Sequence, residues 1–455
     1  MPVLQKKSRS LSPTRTIAIS FILIILTGTL LLTLPISAKD GNFTPVNHAL
    51  FTATSATCVT GLVIYDTFQH WTTFGQVIIL LMIQVGGLGL VTFVTFFNFI
   101  IGKKLGLRRM QLASESVSAD GFDDARILIK NIIKFTLSIE AIGAIILSTV
   151  FVPEYGVRGI FKSIFIAISA FCNAGFDILG ENTRFTSVVG YNSNPVILIT
   201  IMMLIVCGGL GFVVWNDLLY FKKTKRLYLH TKIVLIVTAF LIVLGTIAFL
   251  VVEWDNPLTL ANMDFGDKLM NSMFQSISCR TAGFNSLDNA SLDPVSKVFS
   301  IILMYIGAAP GSTGGGIKVT TFAVILMTVV SVLRNKEDTT VLGRKVDKST
   351  VYKALTITML SLTAIFLATL SIFYSLKQNT AVTGLDTLFE VVSAFATVGL
   401  SVGITSVANL FSELIMILMM FIGRVGPIAV VLFLMIKGAD KSKKQVYPEG
   451  KILVG

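Results

Sequence analysis

Phe51-Thr52-Ala53-Thr54-Ser55-Ala56-Thr57-Cys58-Val59-Thr60-Gly61-Leu62 decides the fold, because its skeleton comes back three more times along the chain. The skeleton is Phe, three residues, Ser, then a short stretch ending in Gly and an apolar residue. Its second copy runs from Phe165 and Ser169 to Asn173-Ala174-Gly175-Phe176, and its third from Phe274 and Ser278 to Thr281-Ala282-Gly283-Phe284. The fourth runs from Phe389 and Ser393 to Thr397-Val398-Gly399-Leu400. The third copy is one residue shorter between Ser and Gly. The four glycines are 114, 108 and 116 residues apart, a period long enough to hold several helices.

What surrounds each copy also repeats. An apolar segment long enough to cross a bilayer comes first, then a run of about a dozen residues that is too short to cross. The signature follows, and after it another apolar segment, often marked by glycine: Gly86-Gly87-Leu88-Gly89, Gly208-Gly209-Leu210-Gly211, Gly307 to Gly316, then Gly423 and Gly426. The unit reads as helix, re-entrant half-helix, loop, helix. Four units predict an all-α integral membrane protein with eight spans around a central pore. The predicted boundaries are a cytosolic segment 1–14, repeats at 15–110, 111–226, 227–345 and 346–437, and a cytosolic tail 438–455.

Composition and charge agree with this reading. Of 455 residues, 53% are hydrophobic and 14% charged, against roughly a quarter charged in soluble chains. The net charge of +12 sits in clusters around Lys6 to Arg15, Lys103 to Arg109, Lys222 to Arg226, Arg334 to Lys348 and Lys437 to Lys444, with acids such as Glu253, Asp255, Asp264 and Asp267 between them. Cytoplasmic loops collect Lys and Arg, so both termini are expected inside and nucleic acid is not needed to explain the charge. The first apolar run is longer than a secretion signal and reads as a retained helix. Trp71 and Trp254 are expected as interfacial anchors. Cys58, Cys172, Cys207 and Cys279 lack metal-ligand spacing, and His48, His70 and His230 lie far apart in sequence, so neither metal chemistry nor enzymatic catalysis is expected.

The four signatures suit cation desolvation. Moving an ion into an apolar medium costs on the order of 20 kcal/mol unless oxygens replace its water. Loops that turn carbonyls toward one axis need residues tolerant of positive φ, which Gly supplies. The negative ends of four half-helix dipoles facing that axis would favour cations. The third unit carries a further feature, Gly307-Ala308-Ala309-Pro310-Gly311-Ser312-Thr313-Gly314-Gly315-Gly316, which cannot remain a straight helix. Irregular backbone at membrane depth borders protein or a water-filled path, so this segment reads as a gate, or else as a bent helix packed for structural reasons. The other three units show no comparable break in sequence. A phosphate-binding loop is not expected at Gly311 to Thr320, because Ile317 separates Gly316 from Lys318 and no soluble βα context surrounds it.

With these residues in view, the chain resembles the potassium transporters of the Ktr/Trk/HKT superfamily, most closely the bacterial Ktr membrane subunit, over roughly Arg15 to Lys437. The resemblance implies a K⁺ filter lined by carbonyls of Val59, Thr60, Gly61, Asn173, Ala174, Gly175, Thr281, Ala282, Gly283, Thr397, Val398 and Gly399, with 307–316 as an intramembrane gating loop below it. Gly rather than Ser at the first filter position, Gly61, implies K⁺ over Na⁺, with Na⁺ stimulation of transport as a further family trait. It also implies a homodimer in the bacterial plasma membrane, seated on a cytosolic RCK-type ring of nucleotide-binding regulatory subunits (KtrA-like). Arg424, charged inside an apolar helix, is implied to face the inner half of the pore as an electrostatic barrier or a latch for the loop; a structural contact to helix-end carbonyls is the alternative. Lys318 either shares that role or snorkels toward the cytoplasm. Competing readings are a Na⁺-selective or Na⁺/K⁺ cotransporting relative, an alternating-access secondary transporter, which would show two related halves, and a receptor or scaffold, which would need no filter-like loops.

Overall fold

The computed structural model describes residues 13–89, 122–378 and 382–434. The predicted basic clusters at 103–109 and 437–444, most of the N-terminal segment 1–14 and the tail 438–455 lie outside them. The chain opens with α1 (Pro13–Thr33), α2 (Val46–Cys58), the one-turn α3 (Thr67–His70) and α4 (Thr73–Leu88). Next come α5 (Phe122–Tyr155), α6 (Val157–Phe171), α7 (Pro195–Gly209) and α8 (Phe212–Thr224). They are followed by α9 (Leu229–Val252), α10 (Phe265–Ser278), α11 (Pro294–Tyr305) and α12 (Val319–Leu333). After a small hairpin, β1 (Thr340–Val341) with β2 (Arg344–Lys345), the chain ends in α13 (Lys348–Ser375), α14 (Gly384–Ala396), α15 (Leu410–Val425) and α16 (Pro427–Leu434). Among the described residues, four helices are long and apolar enough to cross a bilayer by themselves, or five if the bent pair α7/α8 is taken as one span.

The short helices α2, α6, α10 and α14 have 13, 15, 14 and 13 residues, about 20 Å at 1.5 Å per residue. Each carries one signature, and the signature Phe51, Phe165, Phe274 and Phe389 are all fully buried. The helix that follows each signature starts at a side-chain cap: Thr72, Asn194, Asp293 and Asn409 accept hydrogen bonds from the first-turn N–H groups of α4, α7, α11 and α15. Pro195 and Pro294 stand at first positions, where the missing N–H costs nothing. Packing closes a ring: α4 lies on α6, α7 on α10, α11 on α14, and α15 returns to α2.

The breaks after the signatures are more general than the sequence suggested. Gly89, Gly211 and Gly426 have φ of +79°, +89° and +97° with ψ near +140°, so α4 stops, α7 turns into α8 at 94° and α15 gives way to α16. The apolar segment that follows the second signature is therefore not one straight span, because a positive-φ glycine stands at the break between α7 and α8. Segment 307–316 is a longer version of the same interruption. Trp71 is not the expected interfacial anchor: it is buried, edge-on to His70 and against Gly75, whereas Trp254 is exposed. His48 and His70, distant in sequence, meet through Tyr65, whose hydroxyl is 2.7 Å from His48 Nδ1 and whose ring stacks on His70 at 4.1 Å.

Candidate functional site: a ring of four loops

After each short helix a left-handed residue stands two places before the glycine; it caps α2 and α14 directly, whereas α6 and α10 first pass through right-handed Cys172 and Cys279. The left-handed residues are Val59 (φ +59°), Asn173 (+58°), Thr281 (+69°) and Thr397 (+51°), and the glycines themselves are at +94°, +68°, +79° and +94°. Left-handed backbone is rare for non-Gly residues and strained for β-branched ones, so Val59, Thr281 and Thr397 mark over-determined backbone. The signature Ser explains how it is held. Thr60 N–H donates to Ser55 O, Ala174 N–H to Ser169 O and Val398 N–H to Ser393 O at 2.8 to 2.9 Å, each five residues back, as in a Schellman cap. In the shortened third copy Ala282 N–H reaches Ser278 O four residues back at 3.0 Å, so the missing residue is absorbed by a tighter turn. Ser55 and Ser393 also accept, through Oγ, the N–H of Gly61 and Gly399 at 3.1 Å.

The glycines meet at one axis. A Cβ on Gly61 would approach Ala174 O, one on Gly175 Ala282 O, one on Gly283 Val398 O and one on Gly399 Thr60 O, all closer than 3.0 Å. The loops therefore follow one another in chain order and close on the first, with the carbonyl before each glycine turned toward its neighbour. All twelve residues expected at the filter are brought together here and are buried. On one side the ring opens into a cavity of about 220 Å³, whose walls include Asp66, Asp177 and Asp288. The carboxylates partly serve their own loops: Asp66 accepts from Phe68, Gln69 and Phe185 N–H, and Asp288 from Ala290 N–H and Ser291 Oγ–H. Asp177 is half-buried, accepts from Leu179 N–H, and has its carboxyl pushed up to about 7 by burial, with the negative Asp66 adding and Lys162 opposing.

On the other side lies the glycine-rich segment. Its neck is closed by Gly307 N–H on Ile317 O at 2.8 Å and Val319 N–H on Ala308 O at 3.2 Å. Its tip is under the ring: a Cβ on Gly314 would overlap Thr281 Oγ1 and one on Gly315 Thr397 Oγ1, while Thr313 Oγ1 lies 3.3 Å from the Asn173 amide. Ala309 and Thr313 N–H donate to Gly209 and Gly208 O, Ser312 Oγ–H caps Ala309 O, and Phe212 N–H at the α8 corner donates to Gly311 O. Pro310 O faces Gly211 of that corner, and Gly316 (φ +67°) rests on Ala396. Arg424 reaches from α15 to Thr313 O and to Gly86 and Gly87 O at the end of α4 in the neighbouring first unit. Lys318 folds back on the segment, with Nζ 2.6 Å from Gly314 O. The backbone at 313–315 thus covers loops two, three and four, and Arg424 bridges to the first unit. One site residue escaped the sequence reading: Arg280, in the third loop, donates to Gly307 O at 3.2 Å. The signal was available, since the matching positions are Cys58, Cys172 and Ala396.

Residues 5–445 match the TrkH family of cation transport proteins. The chain belongs to that family. This TrkH-family chain is 40% identical to the Ktr system potassium uptake protein B of Bacillus subtilis, over 98% of the chain and 97% of that protein. It is 39% identical to the potassium/sodium uptake protein NtpJ of Enterococcus hirae over the whole of both. Its fold is that of the potassium transporter TrkH of Vibrio parahaemolyticus, with a TM-score of 0.70 at 15% identity, covering 94% of this chain and 86% of that one. As a TrkH-family member it is a membrane-embedded cation uptake protein of the Ktr/Trk superfamily and not an enzyme.

Proposed function

We propose that the chain is the pore-forming subunit of a Ktr-type potassium uptake system, with eight spans in four repeats and both termini cytoplasmic. The observation that carries this reading is the closed ring of four glycine loops, each carbonyl turned to its neighbour's glycine. Oxygens arranged this way replace the hydration shell of a dehydrated monovalent cation, and short-helix C-termini around them add negative potential. Below the filter, 307–316 is the gate. In this closed arrangement Arg424 works as a latch, its charge set across the ion path and its donors spent on loop carbonyls; Lys318 stiffens the tip. A homodimer on a separate cytosolic nucleotide-binding ring, which would pull on the segment, fits the relatives named as Ktr system proteins.

The name of the Enterococcus relative, a potassium/sodium uptake protein, favours one second reading, in which Na⁺ also passes or activates the pore. Growth on limiting K⁺ of a bacterium stripped of its own uptake systems tests the first reading. The intact chain should restore growth, more strongly with a cytosolic regulatory subunit, and Gly283→Asp should not, because φ +79° and the adjacent Val398 O leave no place for a side chain. Membrane-inserted protein that restores no growth and carries no Rb⁺ into liposomes overturns the pore. K⁺ uptake that needs added Na⁺, or Na⁺ flux alongside Rb⁺ flux in liposomes, would select the second reading.

A further inference from the structure

Arg280 is a buried cation for which the pore as described has no use. It is 6% exposed, and among the described residues no carboxylate pairs with it. A guanidinium in an apolar interior without a countercharge is costly, so plain packing does not account for the choice. Its contacts are to backbone. Nη2 donates to Gly307 O, the first carbonyl of the glycine-rich segment. Among the described residues Nη1 has no hydrogen-bond partner, and the residue lines a cavity of about 20 Å³ with Gly209, Thr238 and Ala308, room for one water. Meanwhile its own main chain leads directly into Thr281-Ala282-Gly283, whose Thr281 Oγ1 is 3.4 Å from the Asn173 amide of the second loop.

We infer that Arg280 is a positioning residue that couples the gate to the filter. The inference rests on the reading of 307–316 as gate and of the glycine ring as filter. The neck hydrogen bonds at Gly307–Ile317 and Ala308–Val319 make Gly307 O a fixed point at the base of the segment, while the tip is held separately through Arg424. The guanidinium joins that fixed point to the third filter loop three residues before its glycine. A displacement of the neck is therefore passed to Gly283, and through Val398 O, which abuts Gly283, to the fourth loop. The unbalanced charge also sets the third loop apart from the other three, lowering cation occupancy at the inner end of the filter.

The test uses the full chain with its regulatory subunit in liposomes, reading Rb⁺ flux with and without the activating nucleotide and the K⁺/Na⁺ permeability ratio. Arg280→Met is expected to raise flux without activator by roughly tenfold or more, the weight of one charge-assisted hydrogen bond, and to lower the K⁺/Na⁺ ratio with it. Arg280→Lys, which keeps the charge and one donor, should recover most of the ratio. Raised flux with an unchanged ratio would mean that Arg280 serves the gate alone and would overturn the coupling, as would wild-type behaviour in both. If Arg280→Met does not reach the membrane, Arg280→Lys and Arg280→Gln decide: a lower ratio in Gln than in Lys supports the inference, and equal ratios overturn it. Arg424→Gln keeps the two readings apart. Flux without activator that stays at the wild-type level in Arg424→Gln rejects the gate itself, whereas raised flux there with an unaltered Arg280→Met rejects only the coupling.

Discussion

Ser393 and Ser169 occupy the same place in their signatures but differ in what their hydroxyls meet. Ser393 Oγ holds the Gly399 N–H at 3.1 Å, whereas Ser169 Oγ is buried and has no hydrogen-bond partner among the described residues. Removing the hydroxyl that accepts this N–H leaves a buried donor unpaired, at about 1 to 3 kcal/mol. Ser393→Ala should therefore loosen the fourth loop, reducing K⁺ over Na⁺ discrimination in liposome flux and lowering thermal stability by that order. Ser169→Ala should match wild type in both. Equal losses in the two variants would show that the hydroxyls contribute bulk and not geometry.

At the scale of elements, the glycines that punctuate the post-signature helices have two distinct duties. Gly86, Gly208 and Gly423 let those helices touch the carbonyl ends of α2, α6 and α14, where a Cβ would overlap Thr57, Phe171 and Phe395 O. Three residues later Gly89, Gly211 and Gly426 end the helix at positive φ. An alanine at the second set costs about 1 to 2 kcal/mol of backbone strain wherever it is placed. Of these three, Gly211 also touches the glycine-rich segment proposed as the gate, lying beside Pro310 O with Phe212 N–H on Gly311 O. Gly211→Ala should thus raise Rb⁺ flux without activator, while Gly426→Ala, with open space around it, should lower the melting temperature and leave flux unchanged. An equal rise in both would assign the effect to general destabilisation. These duties also explain what could be read in advance. The Phe, Ser and Gly of each signature were legible because close packing and positive φ select their residue types. The left-handed Val59, Thr281 and Thr397 were not, since tertiary contacts impose a conformation against residue preference, and the break at Gly211 was hidden inside a continuous apolar run. Arg280 was visible as a letter, but its meaning required the neck of a segment 27 residues away.

For the whole molecule, the arrangement of charge along the pore axis gives a pH dependence with a definite sign. The cavity on one side of the ring holds Asp66, Asp177 and Asp288, and the opposite side holds Arg424 and Lys318, so in the orientation proposed above a cation entering from outside meets carboxylates first and the two cations last. Asp177 is the adjustable member. Burial disfavours the charged form and pushes its carboxyl up to about 7; the Leu179 N–H opposes this, Asp66 adds to it and Lys162 offsets it in part. It is neutral below that pH and becomes a carboxylate as the pH rises through it. One added charge in a water-filled mouth contributes up to about 1 kcal/mol at contact distance, so K⁺ uptake at limiting K⁺ should grow on the order of two- to fivefold as external pH rises through about 7. Saturating K⁺ should mask the change, since the mouth raises local ion concentration and not turnover. Added salt should shrink it by screening. Asp177→Asn, neutral at every pH, should hold uptake at the low-pH level of the wild type throughout. A profile that keeps its full rise in Asp177→Asn would assign the dependence to another group and leave the mouth without the tunable charge argued here.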